Sequence, residues 1–199
     1  MNAVNYKYQF VGGNLALDFV NTVAYRADPE RLEDRLQTAD QARQWAIQAG
    51  LPGRNAIHSR SAMAKADLRR VRDVREDLFA IFQAMAAAKP ISTPALNRLA
   101  RSLQSCRSKQ TLVMQGREVR WTWDRNAGNF DFLLYPVLTA AVDLLVSSSH
   151  GLVRECAGEG CGWLFLDRSN AGKRRWCSMA DCGNRNKARR HYFRARAVR

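Results

Sequence analysis

Cys156-Ala157-Gly158-Glu159-Gly160-Cys161 and, after a gap of fifteen residues, Cys177-Ser178-Met179-Ala180-Asp181-Cys182 place two cysteine pairs of identical C-x4-C spacing near the end of a 199-residue chain. Four thiolates in two pairs are what a tetrahedral Zn2+ ion needs, and an all-cysteine set leaves no open position for a substrate. The four-residue spacing is wider than that of a common zinc knuckle. Gly158, Gly160 and Gly162 around Cys161 compensate by supplying tight turns that wrap backbone around a metal. The spacing therefore predicts a closed, structural zinc centre at Cys156, Cys161, Cys177 and Cys182. A hydrolytic zinc would keep a water and draw on His or carboxylate ligands, and the one nearby histidine, His191, falls in the basic segment that follows.

That segment starts at Gly183-Asn184-Arg185. Residues 151–199 hold twelve Arg or Lys against four Asp or Glu, so +8 of the formal +14 sits in the last quarter of the chain. A basic asymmetry of this kind favours phosphate backbones or anionic surfaces. Asn184, Arg185, Asn186, Lys187, Arg189, Arg190 and Arg194 fall on one predicted helix, with Tyr192 and Phe193 interleaved. In a major groove, Arg can read guanine and Asn can read adenine. Lys173, Arg174 and Arg175, in the loop before Cys177, suit phosphate clamping. Arg185 and Asn184 also have a plainer use, as hydrogen-bond donors to the thiolates. Trp163, Phe165 and Trp176 read as the small core of the metal module rather than as base-stacking platforms.

Working back towards the start, the remaining chain is predominantly helical. Leu15 to Val23 reads as a short buried helix, and residues 26–37 read as a charged loop around Asp28-Pro29. Thr38 or Asp40 caps a helix ending at Gly50 and anchored by Trp45. A long helix starts between Arg54 and Ser61 and carries the apolar stripe Val71, Val74, Leu78, Phe82, Met85. Thr93-Pro94 opens another helix with Leu96, Leu99 and Leu103. The period then changes to two: Val119, Trp121 and Trp123 alternate with polar residues opposite Leu112, Val113 and Met114, which predicts one β-hairpin. A mostly apolar helix over 131–148 is the expected core. The fold class is thus mainly α: a helical domain with one hairpin over 1–150, and a zinc module over 151–199 that ends in a basic helix.

Cys156-x4-Cys161-Gly162-Trp163-Leu164-Phe165-Leu166-Asp167, Arg174-Arg175-Trp176-Cys177-Ser178-Met179 and Cys182-Gly183-Asn184-Arg185 resemble the CGNR zinc-finger family of bacterial transcription regulators. Leu15-Ala16-Leu17-Asp18-Phe19-Val20-Asn21-Thr22 is similar to the start of the ABATE domain that usually precedes that finger. The resemblance implies a stress-linked or ligand-responsive DNA-binding regulator with the first domain as sensor.

Asp18 and Asn21, spaced i, i+3 in an apolar helix, and Asp143, in the most apolar helix, must find partners once buried. They are candidates for a small-molecule pocket. The alternative is internal satisfaction, with Asp18 or Asn21 capping a helix and Asp143 paired to Arg72 or Arg75. Arg69, Arg70, Arg72 and Arg75 alternate with Asp67, Asp73, Glu76 and Asp77 and read as a solvated, self-paired face. His58 reads as a loop residue and Cys106 as incidental. No nucleophile–base set is visible, so no enzyme is expected. The start lacks a signal peptide and no apolar run matches a membrane span, so a cytoplasmic location with reduced thiols is expected. Duplex DNA is the expected partner and a homodimer the expected assembly, since one finger covers little DNA. RNA binding or a protein-interaction role for the zinc module stand as alternatives.

Overall fold

The computed structural model describes residues 6–51, 65–123 and 130–197. Among them the protein is mainly α. Helix α1 (Leu15–Val20) starts at Asn14, whose side chain accepts from the Ala16 N–H at 2.8 Å, and ends at Asn21. Helix α2 (Ala39–Gln48) starts at Thr38 in a reciprocal cap with Gln41, and its Trp45 packs 5.2 Å from the Phe19 ring. Helix α3 (Lys65–Ala86) buries Val71, Val74, Leu78, Ile81 and Phe82, as its 3–4 spacing requires. Its expected start, and His58, lie outside the described residues. In α4 (Thr93–Arg107) Leu99 is buried, but Leu96 is exposed, contrary to the expected stripe. Helix α5 (Asp131–Val146) is apolar nearly all round because it is the centre, packed against α1 and α4.

Strands β1 (Val23–Ala24) and β2 (Glu33–Asp34) pair antiparallel: β1 takes up the end of the stretch expected to be helix, which stops at Val20, and β2 lies within residues 26–37, expected to be a plain charged loop. The cause is electrostatic. Arg75 on α3 is buried and donates to both carboxylate oxygens of Asp34 at 2.7 and 2.8 Å, and also to Glu76. Glu76 in turn receives both guanidinium ends of Arg26, at 2.7 and 3.1 Å. Arg70, Arg72 and Arg75 therefore go beyond the expected solvated, self-paired face: they reach other elements, and Arg72 and Arg75 fasten the segment around β2 to the helix, while Arg69 is exposed. Arg70 donates at 2.8 Å to the buried Asp131, which also receives Lys109 at 2.9 Å. Cys106 is no polar bystander either; it is fully buried, and its thiol donates to Asp131 at 3.3 Å. Burial and that carboxylate push its pKa up to about 12, which keeps it an unreactive thiol.

The expected hairpin is present as β3 (Gln110–Gln115) and β4 (Glu118–Trp123). After α5, β5 (Val153–Glu155) and β6 (Leu164–Leu166) form a second hairpin that faces two ways. Val153, Leu164 and Leu166 enter the helical core, while Trp163 and Phe165 join a second cluster with Cys156, Cys161, Cys177 and Cys182. Alternation along a strand sends neighbours to opposite faces, so β6 is a wall common to both clusters. Asn21 holds that wall in place: its amide donates to the Leu164 carbonyl at 2.8 Å and accepts from the Leu164 N–H at 2.9 Å. Asn21→Ala leaves both backbone groups unpaired in a buried position. A loss of about 2–6 kcal/mol in urea unfolding is expected, from about 1–3 kcal/mol for each orphaned group.

Candidate metal centre and nucleic-acid interface

The loop between β5 and β6 brings Cys156 and Cys161 together. Gly158 lets this loop close on the metal ligands, since a Cβ there would lie 2.9 Å from the Cys182 sulfur. Gly162 has a φ of +66° and fits against Arg26, leaving no room for a side chain. All five cysteines carry free thiols, and the sulfurs of Cys156, Cys161, Cys177 and Cys182 lie within 4.8 Å of one another. A regular tetrahedron with Zn–S bonds of about 2.3 Å has edges of about 3.8 Å. The Cys161–Cys177 and Cys177–Cys182 sulfur separations are 3.8 and 3.6 Å, so the cluster has the dimensions of a zinc–tetrathiolate site. Backbone donors are already aimed at sulfur: the Cys177 and Gly158 N–H groups point to Cys156 Sγ at 3.2 and 3.4 Å. Hydrogen bonds from Cys161 and Cys177 also hold the Cys156 thiol below its usual pKa. When zinc is bound it ties the two cysteine pairs into one unit; the protein supplies the sulfur donors and the N–H groups that steady their charge.

Cys182 lies in a π-turn (Met179–Gly183) that continues into α6 (Asn184–Ala197). Arg185, in the first turn of α6, donates to Cys182 Sγ at 3.0 Å and to the Tyr25 hydroxyl at 2.8 Å. Tyr25 holds a left-handed φ of 55°, which bulky residues rarely adopt, and its ring centre lies 4.8 Å from the Arg31 guanidinium and 5.4 Å from that of Arg185. Asn184 instead bonds the Ala180 carbonyl at 3.1 Å and leaves the thiolates alone. Nothing in the sequence marked Tyr25, because its role depends on a contact 160 residues away. A cavity of about 260 Å³ beside the sulfurs is lined by Tyr25, Arg35, Trp163, Asp181, Asn184 and Arg185.

The basic residues divide into two groups. Lys173, Arg175, Asn184, Lys187, Arg190 and Arg194 are exposed, and Asn186 is half-buried. Arg189 is exposed but ion-paired with Glu159. Arg174 is not available for phosphate. It donates to the Trp176 and Val11 carbonyls at 2.9 and 3.1 Å and to the Cys177 carbonyl, and its guanidinium lies 4.3 Å over the Phe165 ring. It pins the N-terminal segment to the metal module. Trp163 and Phe165 are buried as core, as expected, and the Trp163 indole donates to the Val23 carbonyl at 2.9 Å. Tyr192 and Phe193 are exposed and meet edge-on.

The candidate pocket in the helical part is not assembled. Asp143 is exposed on α5 and does not meet Arg72 or Arg75. Asn21 is spent on Leu164, and buried Asp18 accepts from the Gly12 N–H at 2.7 Å. The two buried groups are thus satisfied internally.

Two family models match the chain. The ABATE family, described as "Putative stress-induced transcription regulator", matches residues 13–148, and the CGNR zinc finger matches residues 153–195. With more than half of its length matched, the chain belongs to the ABATE family and carries a CGNR zinc finger, and zinc is its cofactor. Both families are of regulator or zinc-finger type. No curated protein matches the chain. No helix among the described residues is long and apolar enough to cross a membrane.

Burial raises the Asp18 pKa to about 6, above the unfolded value of about 3.9. Between these values the native chain keeps a proton that the unfolded chain has released, so stability is greatest below the lower value and falls as pH rises through the upper one. Asp18→Asn keeps an oxygen for the Gly12 N–H. Its advantage over the parent is expected to be smallest near pH 4 and to reach about 2–3 kcal/mol by pH 7. Urea unfolding at several pH values measures this, and a pH-independent difference would contradict it.

Because β6 serves both clusters, removal of zinc by a chelator is expected to lower the stability of the whole chain. The loss should be a sizeable part of the about 10–16 kcal/mol that zinc contributes in small zinc modules. Circular dichroism during denaturation should show one transition moving as a unit. A helical transition that ignores the chelator would contradict the shared wall.

Proposed function

We propose that the protein is a DNA-binding transcription regulator in which Cys156, Cys161, Cys177 and Cys182 hold zinc and α6 lies against duplex DNA. The observation that carries this reading is the placement of α6. Arg185 locks its first turn to a sulfur of the metal cluster, while Lys187, Arg190 and Arg194 stand exposed with no ion pair among the described residues. A basic helix held by a rigid base can enter a major groove and keep its register there. Lys173, Arg175, Asn184, Asn186 and Arg189 extend the same surface, Arg189 once Glu159 releases it.

In this reading residues 1–150 sense and residues 151–199 bind DNA, in a cytoplasm that keeps the thiols reduced. A small effector is better placed in the cleft between α3 and α4 than at Asp18. That cleft, about 640 Å³, is lined by Arg69, Arg101, Ser102 and Ser105 beside Asp73 and the Arg98–Asp77 ion pair, and its two remaining arginines suit an anionic molecule. The protein works as a homodimer, because one small module covers too little DNA for tight specific binding.

A second reading has one observation in its favour. Tyr192 and Phe193 present exposed rings on the basic helix, and exposed aromatics among arginines suit stacking by single-stranded nucleic acid. Binding of the zinc-loaded protein to random duplex and single-stranded oligonucleotides, as salt is varied, tests both. The expected result is duplex binding with a steep salt slope, reduced by about 2–3 in the Lys187→Ala, Arg190→Ala, Arg194→Ala triple variant at unchanged stability. Preference for single strands would favour the RNA-type reading. No binding of either at low salt would make the zinc module a protein-interaction device.

A further inference from the structure

Among the described residues the β3–β4 ribbon makes few contacts with the rest of the protein. Its six cross-strand pairs run without a bulge from Gln110–Trp123 to Gln115–Glu118, closed by a turn at Gly116 with a φ of +65°. Contacts to the body gather at its base, where Trp123 meets the Tyr135 ring at 5.7 Å and Arg107 lies 4.0 Å over the Trp121 ring. Residues paired across an antiparallel ribbon share a face. Leu112 with Trp121 and Met114 with Val119 therefore form one apolar ladder. These four side chains are 53–66% exposed, and Val113 on the opposite face is exposed as well. A two-stranded ribbon is marginal in water without a covered face, and a contiguous exposed apolar patch marks an interaction surface.

The two edges of the ribbon are unlike. Strand β4 carries Glu118 and Arg120, charges of the kind that protect edges from pairing with other strands. Strand β3 reads Gln110-Thr111-Leu112-Val113-Met114-Gln115, with no charge, proline or bulge. Beyond the ribbon itself, its backbone makes no hydrogen bond among the described residues. In a chain with 32 Lys or Arg and 18 Asp or Glu, an exposed neutral edge of this length is where self-pairing meets no electrostatic opposition.

We propose that β3 pairs antiparallel with β3 of a second copy of this chain, closing a four-stranded sheet across a two-fold axis. A second copy fits because the edge is neutral and complementary to itself, whereas a charged partner would find nothing on it to pair with. The ladder stays on one face only in registers that pair even-numbered positions with even-numbered positions. The register centred on Val113 sets this residue opposite its own counterpart and Leu112 opposite Met114, so the ladders of both copies form one continuous apolar surface. Two paired six-residue strands with their ladders make a small interface, in the class at or below about 1,200 Å² in total. Association is therefore expected at micromolar concentrations. This inference names the surface of the dimer proposed above and rests on that part of the reading, but it is decided by association and not by DNA.

Sedimentation of the zinc-loaded full chain from about 1 to about 100 µM is expected to show a monomer–dimer equilibrium. Val113→Glu places a carboxylate opposite Arg120 of its own ribbon, which favours the hairpin, and opposite its own counterpart in the dimer, which does not. It should raise the dissociation constant at least tenfold, with circular dichroism and zinc content unchanged. Opposed residues in an antiparallel pair have Cα atoms about 4.5–5.5 Å apart, within disulfide reach. Mild oxidation should therefore cross-link Val113→Cys between copies and leave Arg120→Cys, on the guarded edge, uncross-linked. A monomer at every concentration would overturn the proposal. So would a dimer that ignores Val113→Glu and fails to cross-link at position 113. A dimer that cross-links at 113 yet binds no DNA would uphold this interface while the regulator reading falls.

Discussion

Leu164, Phe165 and Leu166 are consecutive residues of one short strand, and they fill two different interiors. The leucines complete the helical core; the phenylalanine backs onto the metal-binding sulfurs. This follows from the period of two along a strand, and much of the architecture arranges itself around it. Asn21 at the end of α1 holds the strand through both backbone groups of Leu164, the Leu166 N–H donates to the Gly12 carbonyl, and Arg174 ties Val11 to the loop before Cys177. The metal module is thus packed into the helical body, with backbone as well as side chains shared between them.

A second set of contacts runs from the helical body to the basic helix. Arg75 and Glu76 on α3 grip Asp34 and Arg26 of the β1–β2 segment. The backbone N–H groups of Arg26 and Ala27 then donate to the Cys161 and Gly160 carbonyls. Tyr25, one residue earlier, receives Arg185 at the start of α6. Polar groups held in this way are specific in geometry, because each buried charge depends on its partner for compensation. Salt bridges and hydrogen bonds thus run without a break from α3 to the first turn of α6.

The sequence was most legible where local chemistry is enough. The cysteine spacing announced a four-sulfur cluster, the Thr38 cap and the Val71–Phe82 stripe announced helices, and the alternation around Trp121 announced the hairpin; all are present. What escaped is what distance decides. The β1–β2 pairing depends on an arginine 41 residues away from Asp34, and a run of mixed charges reads the same whether it is solvated or bonded to other elements. Arg174 resembled its neighbours Lys173 and Arg175, yet only its position faces the Phe165 ring and four carbonyls. Asp18 and Asn21 signalled correctly that buried polar groups need partners. The partners were the backbone of Gly12 and Leu164, which no side-chain pattern could indicate.

The shared strand also bears on how this chain comes into being. A ribosome delivers residues in order, and domains generally fold as units during synthesis. Here the helices up to Val146 emerge before Val153, Leu164 and Leu166, the residues that close their core. Until those arrive, the face of α1 and α3 that receives them stays open to water. The nascent helical body is thus an unfinished vessel whose lid is made last.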